Sequence, residues 1–157
     1  EQSLTIKFLH LITRHIIMLI KLILSFIFLT NQQNAYIGQW ISIDDETGKE
    51  KSEISLYIKG GKLYGRIDSL LLPEDQGKSC ESCKGIENGR PIVGLVIVQG
   101  LTKDGKNWTD GTILDPANGK RYSCNISLRE DGNLNVRGYL GFSLLGRTQV
   151  WRRKTNL

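Results

Sequence analysis

The 157-residue chain carries 21 Lys and Arg against 16 Asp and Glu, a formal charge of +5, with 39% hydrophobic and 24% charged residues. That size suits one domain and leaves little room for a second. Basic and acidic residues alternate along the chain apart from Arg152-Arg153-Lys154, so it lacks the basic stripe that a nucleic-acid-binding surface uses, and no nucleic-acid partner is expected.

Residues 4–29 are apolar and broken by few charges. From Met18 onward they have the layout of a secretory signal peptide. Lys21 lies in a short basic region, Leu22–Leu29 form the apolar region, and Thr30–Ala35 form a polar region with cleavage near Ala35. Gln33 departs from the small residue preferred two positions before cleavage. Residues 1–17 are expected to lie upstream of the natural start. The alternative is a retained membrane anchor, but the uninterrupted apolar run is short of the roughly 20 residues a span needs. The expected layout is therefore a hydrophobic helix within an N-terminal segment, 1–35, and one domain, 36–157. A bacterial Sec-type signal of this kind implies a periplasmic or secreted protein that meets the membrane only before cleavage.

Both histidines, His10 and His15, fall in that first segment. The domain that follows has no imidazole, which excludes Ser-His-Asp and Cys-His nucleophiles and His-based zinc sites. Its charge is also milder. Lys7, Arg14 and Lys21 oppose Glu1 in the first segment, leaving 18 basic and 15 acidic residues, a balance of +3.

From Tyr36 the apolar residues recur every second position, the period of a half-buried strand. The first predicted strand is Tyr36–Ser42. In the second, Ile54, Leu56 and Ile58 alternate with Glu53, Ser55, Tyr57 and Lys59. Gly60-Gly61 is a two-residue hairpin signal, and Lys62–Leu71 runs back. Ile92–Leu101 is a more continuous apolar strand, turned by Asp104-Gly105 and returned by Trp108–Leu114. Asp115-Pro-Ala-Asn-Gly119 is a strong turn, because Pro presets φ and Asn-Gly tolerates the left-handed region. Tyr122, Cys124, Ile126 and Leu128 alternate again. Asp131-Gly132 turns the chain, Leu134–Leu140 follows, and Arg147–Arg153 closes. Eight short antiparallel strands in sequence predict an all-β up-and-down barrel, since closure removes exposed edges.

The long connection Pro73–Pro91 contains Cys80-Glu-Ser-Cys83. In an exported chain the expected reading is a Cys80–Cys83 disulfide that stiffens the loop. A metal site would need further ligands, with only Cys124 left and no His. A redox site would want a helix N-terminus in a βαβ setting. No metal or cofactor is expected. Cys124 shares a face with Tyr122 and Ile126 and is expected to be a buried thiol. The sequons Asn107-Trp-Thr109 and Asn125-Ile-Ser127 are short enough to arise by chance.

Gly38-x-Trp40 on the first strand, with an Arg on the last, resembles the lipocalin and calycin barrels, in which a Trp closes one barrel end beneath a basic residue. Either Arg147 or Arg152 could meet Trp40. A wider set of motifs resembles the DUF2147 family of exported bacterial proteins: Ile37-Gly-Gln-Trp40, Asp44-Asp-Glu-Thr-Gly48, Gly61-Lys-Leu-Tyr-Gly65, Cys80-x-x-Cys-Lys-Gly85, Pro91-Ile-Val-Gly94, Gly111-x-Ile-Leu-Asp-Pro-x-Asn-Gly-Lys120, Arg137-Gly-Tyr-Leu-Gly141 and Gly146-Arg-Thr-Gln-x-Trp151. The resemblance implies a calycin-like barrel and carries no catalytic residues.

Three functions follow as expectations. The first is a barrel binding a small apolar or amphipathic ligand, with Trp40, Tyr64, Trp108, Arg147 and Trp151 as ligand-binding or end-closing residues. The second is an enzyme using Asp115 or Asp44 with Arg137 or Lys120. The turn carboxylates Asp44, Asp45, Glu46 and Asp115 are equally suited to bonding their own backbone. The third is a structural or interaction protein with a filled interior. Parity turns Arg137 outward, opposite Val136.

Overall fold

The computed structural model describes residues 10, 13–25, 35–142 and 144–155, which divide into two compact units, Glu1–Ala35 and Tyr36–Leu157. In the first unit residues 13–25 are helical. Among the described residues no helix is long and apolar enough to cross a membrane. The end of the expected apolar region and most of the expected cleavage region lie outside the described residues.

The second unit is a closed antiparallel barrel whose strands pair in chain order. They are β1 (Gly38–Ile43), β2 (Glu50–Lys59), β3 (Lys62–Leu70), β4 (Val96–Asp104), β5 (Asn107–Asp115), β6 (Lys120–Leu128), β7 (Leu134–Tyr139) and β8 (Gly146–Arg153). The period-two pattern places Ile54 and Leu56 of β2, Leu63 and Ile67 of β3, Cys124 and Ile126 of β6, and Leu134 and Val136 of β7 inside. Closure joins β1 to β8 through Trp40–Arg153, Ile41–Arg152 and Ser42–Trp151.

Strand β4 departs from expectation at its start. Ile92–Leu95 is not strand, because Gly94 takes a φ of 94° and turns the chain. Ile92 and Leu95 are nonetheless buried, so the apolar run there covers the barrel rather than extending it. The register slips between Gly65–Val98 and Arg66–Val96, and Ile97 and Val98 are both buried. A bulge of this kind turns two successive side chains to one side. Two further residues differ from the pattern: Tyr36 lies in a turn before β1, and Leu128 is exposed.

Up-and-down topology sorts the connections. The β1–β2, β3–β4, β5–β6 and β7–β8 links all lie at one end, and the other three links lie with the chain's entry and exit at the opposite end. The β3–β4 link is long and carries two short 3-10 turns, Pro73–Asp75 and Gly85–Glu87. Cys80 and Cys83 form a disulfide inside it. The Asn88 side-chain amide donates to the carbonyls of Glu81 and Cys83. The Cys80 sulfur lies 3.4 Å from the Pro116 carbonyl; oxidised, it has no proton to donate, so this is a packing contact. At Gly119, where φ is +68°, a Cβ would fall 1.8 Å from the Ser82 carbonyl oxygen. Only glycine lets the cysteine turn seat against the β5–β6 turn.

Cys124 is a free, fully buried thiol whose pKa burial raises to about 12. Thiol titration of denatured, unreduced protein should therefore count one free thiol. A count of three would remove the disulfide.

Candidate functional site

The two ends of the barrel are built differently. At the end holding the chain's entry and exit, Trp40, Leu56, Leu63, Leu101, Trp108, Ile126 and Leu134 fill the interior with 0–1% exposure. The Arg153 guanidinium carbon sits 4.2 Å from the Trp40 ring centroid. Neither Arg147 nor Arg152 takes that place. Arg152 points outward to Glu50, and Arg147, although on the same face as Arg153, lies at the far end of the strand. Gly38 makes room for the stack: its φ is +124°, and a Cβ would come within 3.3 Å of Arg153 Nη1. The Trp40 indole N–H donates to the Tyr36 carbonyl at 2.9 Å.

Tyr36 caps the same end. Its ring meets Trp108 edge-on at 6.4 Å, and its hydroxyl donates to the Lys106 carbonyl at 2.5 Å while accepting from the Leu128 N–H at 2.9 Å. Burial raises the Tyr36 pKa more than the Leu128 bond lowers it. The Lys103 ammonium lies over both rings, 5.0 Å from Tyr36 and 5.4 Å from Trp108, and desolvation lowers its pKa. Tyr36 shares the parity of Trp40 in the predicted first strand, and Lys103 that of Leu101, but parity gives no sign that the two side chains meet across the barrel end.

The other end is hollow. A cavity of about 930 Å³ opens there. Its wall includes Ile54, Ile67, Ile97, Ile113, Val136 and Trp151. Ser42 and Ser52 interrupt this apolar surface, paired Oγ to Oγ at 2.7 Å and each 5% exposed. Tyr122 and Gln149 add polar groups higher up, and Asn118 donates to the Tyr122 hydroxyl at 3.1 Å. Inward parity identifies Ser42 and Ser52 in hindsight; polar identity alone had marked neither. On the β7–β8 hairpin, Leu140 and Leu145 line the mouth, and Phe142 and Leu144 are exposed.

The five aromatic and basic candidates therefore separate. Arg147 and Trp151 line the cavity. Trp40 and Trp108 belong to the packed half. Tyr64 lies on the outside of β3, between inward Leu63 and Gly65, where it stacks on Tyr57 at 5.9 Å.

Arg147 crosses the gap where β1 turns away from β8. Its guanidinium forks onto both carboxylate oxygens of Asp45 and lies 3.6 Å from Glu46. That hydrogen bond is the main reason the Asp45 pKa is lowered and the Arg147 pKa raised. The depressed Asp45 value fixes the sign of the pH effect. The pair's contribution is complete above the unfolded pKa of about 3.9 and is lost as pH falls through the folded value. An exposed pair contributes about 0–1 kcal/mol. A carboxylate NMR titration should place Asp45 below about 3.9 and return it upward in Arg147→Gln. An unshifted Asp45 in the native chain would mean the bridge is not formed.

The carboxylates proposed for acid–base work sit on separate turns. Asp44 accepts from the Thr47 N–H at 2.9 Å and from the Glu46 N–H at 3.2 Å, and its pKa is lowered chiefly by the Thr47 backbone bond. Asp115 accepts from the Ala117 N–H at 3.0 Å and from Asn118 at 2.9 Å. Arg137 is on the outer face, donating to Thr148 Oγ1 at 2.9 Å. Lys120 is exposed. Arg137 is thus on the wrong side of the wall to act with either carboxylate in the cavity. Among the described residues no group of three or more His, Cys, Asp or Glu is placed to hold a metal ion.

With a filled base, a hollow mouth and Arg153 on Trp40 in place, comparison with known proteins is informative. The family model described as "Uncharacterized protein conserved in bacteria (DUF2147)" matches residues 38–153, the span of the whole barrel. The chain belongs to the DUF2147 family. Among solved structures, HP1028 from Helicobacter pylori, described as belonging to the lipocalin family, is similar, with a TM-score of 0.68. The match covers 77% of this chain and 84% of that one at 20% identity, a likeness of fold. No curated protein matches. The DUF2147 barrel is thus lipocalin-like, and its Gly38-x-Trp40 and Arg153 occupy the closed end.

Proposed function

We propose that this DUF2147 protein is an exported barrel of the bacterial cell envelope that holds one small apolar or amphipathic molecule in its mouth. The observation that carries this reading is the half-filled interior: a cavity of about 930 Å³ above a close-packed base. Ligand sites commonly measure about 300–1,000 Å³, with mostly apolar walls and a few placed polar groups. An eight-stranded barrel is wide enough for one small ligand. The lipocalin-like fold is compatible with this use. The apolar segment at 4–29 and the Cys80–Cys83 disulfide support export.

N-phenyl-1-naphthylamine, an uncharged fluorophore that brightens in apolar surroundings, tests the binding. The full chain should bind it saturably at one site. Absence of saturable binding would overturn the reading. Cell fractionation tests the location: the protein should appear in the periplasmic or culture fraction, shortened to begin near Tyr36. Full-length protein confined to the cytosol would overturn export and leave ligand binding standing.

A further inference from the structure

We infer that the ligand's polar end is neutral or cationic, and that the mouth disfavours anionic amphiphiles. This inference rests on the ligand-binding reading above and adds the sign of the ligand's charge.

The cavity carries more carboxylates than cations. Its lining includes five carboxylates, Asp44, Glu46, Asp75, Glu81 and Asp115, and three cations, Lys51, Lys78 and Arg147. The chain as a whole is basic, at +5, so the negative mouth is a local arrangement and not a reflection of composition. Every cation is already matched. Lys51 lies 3.9 Å from Asp44, Lys78 lies 2.6 Å from Asp75, and Arg147 is engaged by Asp45 and Glu46. Glu81 and Asp115, by contrast, form no ion pair among the described residues.

An entering carboxylate or phosphate would meet two carboxylates that lack a counter-charge. To gain a cation it would have to share one with Asp44, Asp75 or Asp45, which already sit beside them. Deeper in, the Ser42–Ser52 pair offers hydroxyls, which serve neutral groups as donor and acceptor and supply no positive charge. A cleft with a net excess of one sign of charge between low-dielectric walls favours ions of the opposite sign. An ammonium group on an apolar chain fits both halves of the site: the tail lies against Ile54, Ile67, Ile97 and Ile113, and the head remains near Glu81 and Asp115.

Three probes with one tail and different heads test this. Dodecylammonium, dodecanol and dodecanoate are titrated into the full chain by calorimetry at pH 7, below their micellar or solubility limits. Dodecylammonium should bind about tenfold more tightly than dodecanoate, with dodecanol between, and the gap should shrink in high salt. Glu81→Gln removes one exposed carboxylate and should narrow the gap about two- to threefold. Dodecanoate binding as tightly as dodecylammonium would overturn the inference and leave the binding function intact. Silence from all three probes and from N-phenyl-1-naphthylamine would overturn both.

Discussion

Trp40→Ala should destabilise the barrel by about 3–5 kcal/mol, the range for removing a buried Trp. The indole is 0% exposed, donates to the Tyr36 carbonyl, and lies under Arg153 at the seam where β1 meets β8. Here the seam pairs only Trp40, Ile41 and Ser42 with Arg153, Arg152 and Trp151. Loss of the ring removes packing from the base and from the closure of the sheet together. Arg153→Met keeps an apolar stem and removes the guanidinium, so it should cost about 0.5–2 kcal/mol, the value of a cation–π contact. Arg153→Lys should recover only part of that, because a compact ammonium does not stack as a planar guanidinium does. Urea unfolding of the native chain, the three single variants and the Trp40→Ala/Arg153→Met double variant measures all of this. A Trp40→Ala loss under about 1 kcal/mol would show that the packed base does not depend on its largest side chain. If Trp40→Ala and Arg153→Met add without coupling, the stack contributes nothing beyond its separate parts.

Local chemistry and long-range geometry were unequally legible in the sequence. Strand identity and turn position depend on alternation and on Gly, Pro and Asn over a few residues, so the meander could be drawn from Tyr36 to Arg153. The disulfide could be expected from spacing and compartment. The partner of Trp40 could not, because it depends on how far β8 slides past β1 when the barrel closes. Parity separates Arg152 from Arg147 and Arg153, but depth along the strand decides between the latter two. The same gap explains the divided site candidates. Nothing local marks Trp108 as part of the floor or Trp151 as part of the cavity wall. Tyr64 was decidable, since it alternates with Leu63 and Gly65 and so faces out. Ser42 and Ser52 also have inward parity, where a hydroxyl is easily taken as tolerated and not as a feature. The start of β4 is not legible because Ile92–Leu101 is a mostly apolar run, which does not separate strand from buried loop.

Gly138→Phe should abolish binding of N-phenyl-1-naphthylamine, lowering affinity by more than about a hundredfold, or about 2.7 kcal/mol. Gly138 lies on β7 opposite Cys124 and Arg147, and it lines the cavity. A Cβ there would sit 3.4 Å from Ile113 Cγ2 and 3.5 Å from the Tyr122 Cβ, ordinary contacts that ask no backbone to move. The ring would extend into space now open to a ligand, against Ile113 and Val136. Burying it there stabilises the fold by up to about 1.5–3 kcal/mol, less the strain of any misfit. The expected signature is therefore opposite to that of Trp40→Ala: binding lost, stability kept or raised. Gly138→Ala adds one methyl and should keep binding within a few fold. Retained affinity in Gly138→Phe would mean that the fluorophore sits outside the cavity, and the half-filled barrel would then have to be explained without a ligand. Lost binding with an intact unfolding transition would tie the function to the hollow end, independent of the Trp40–Arg153 floor that holds it open.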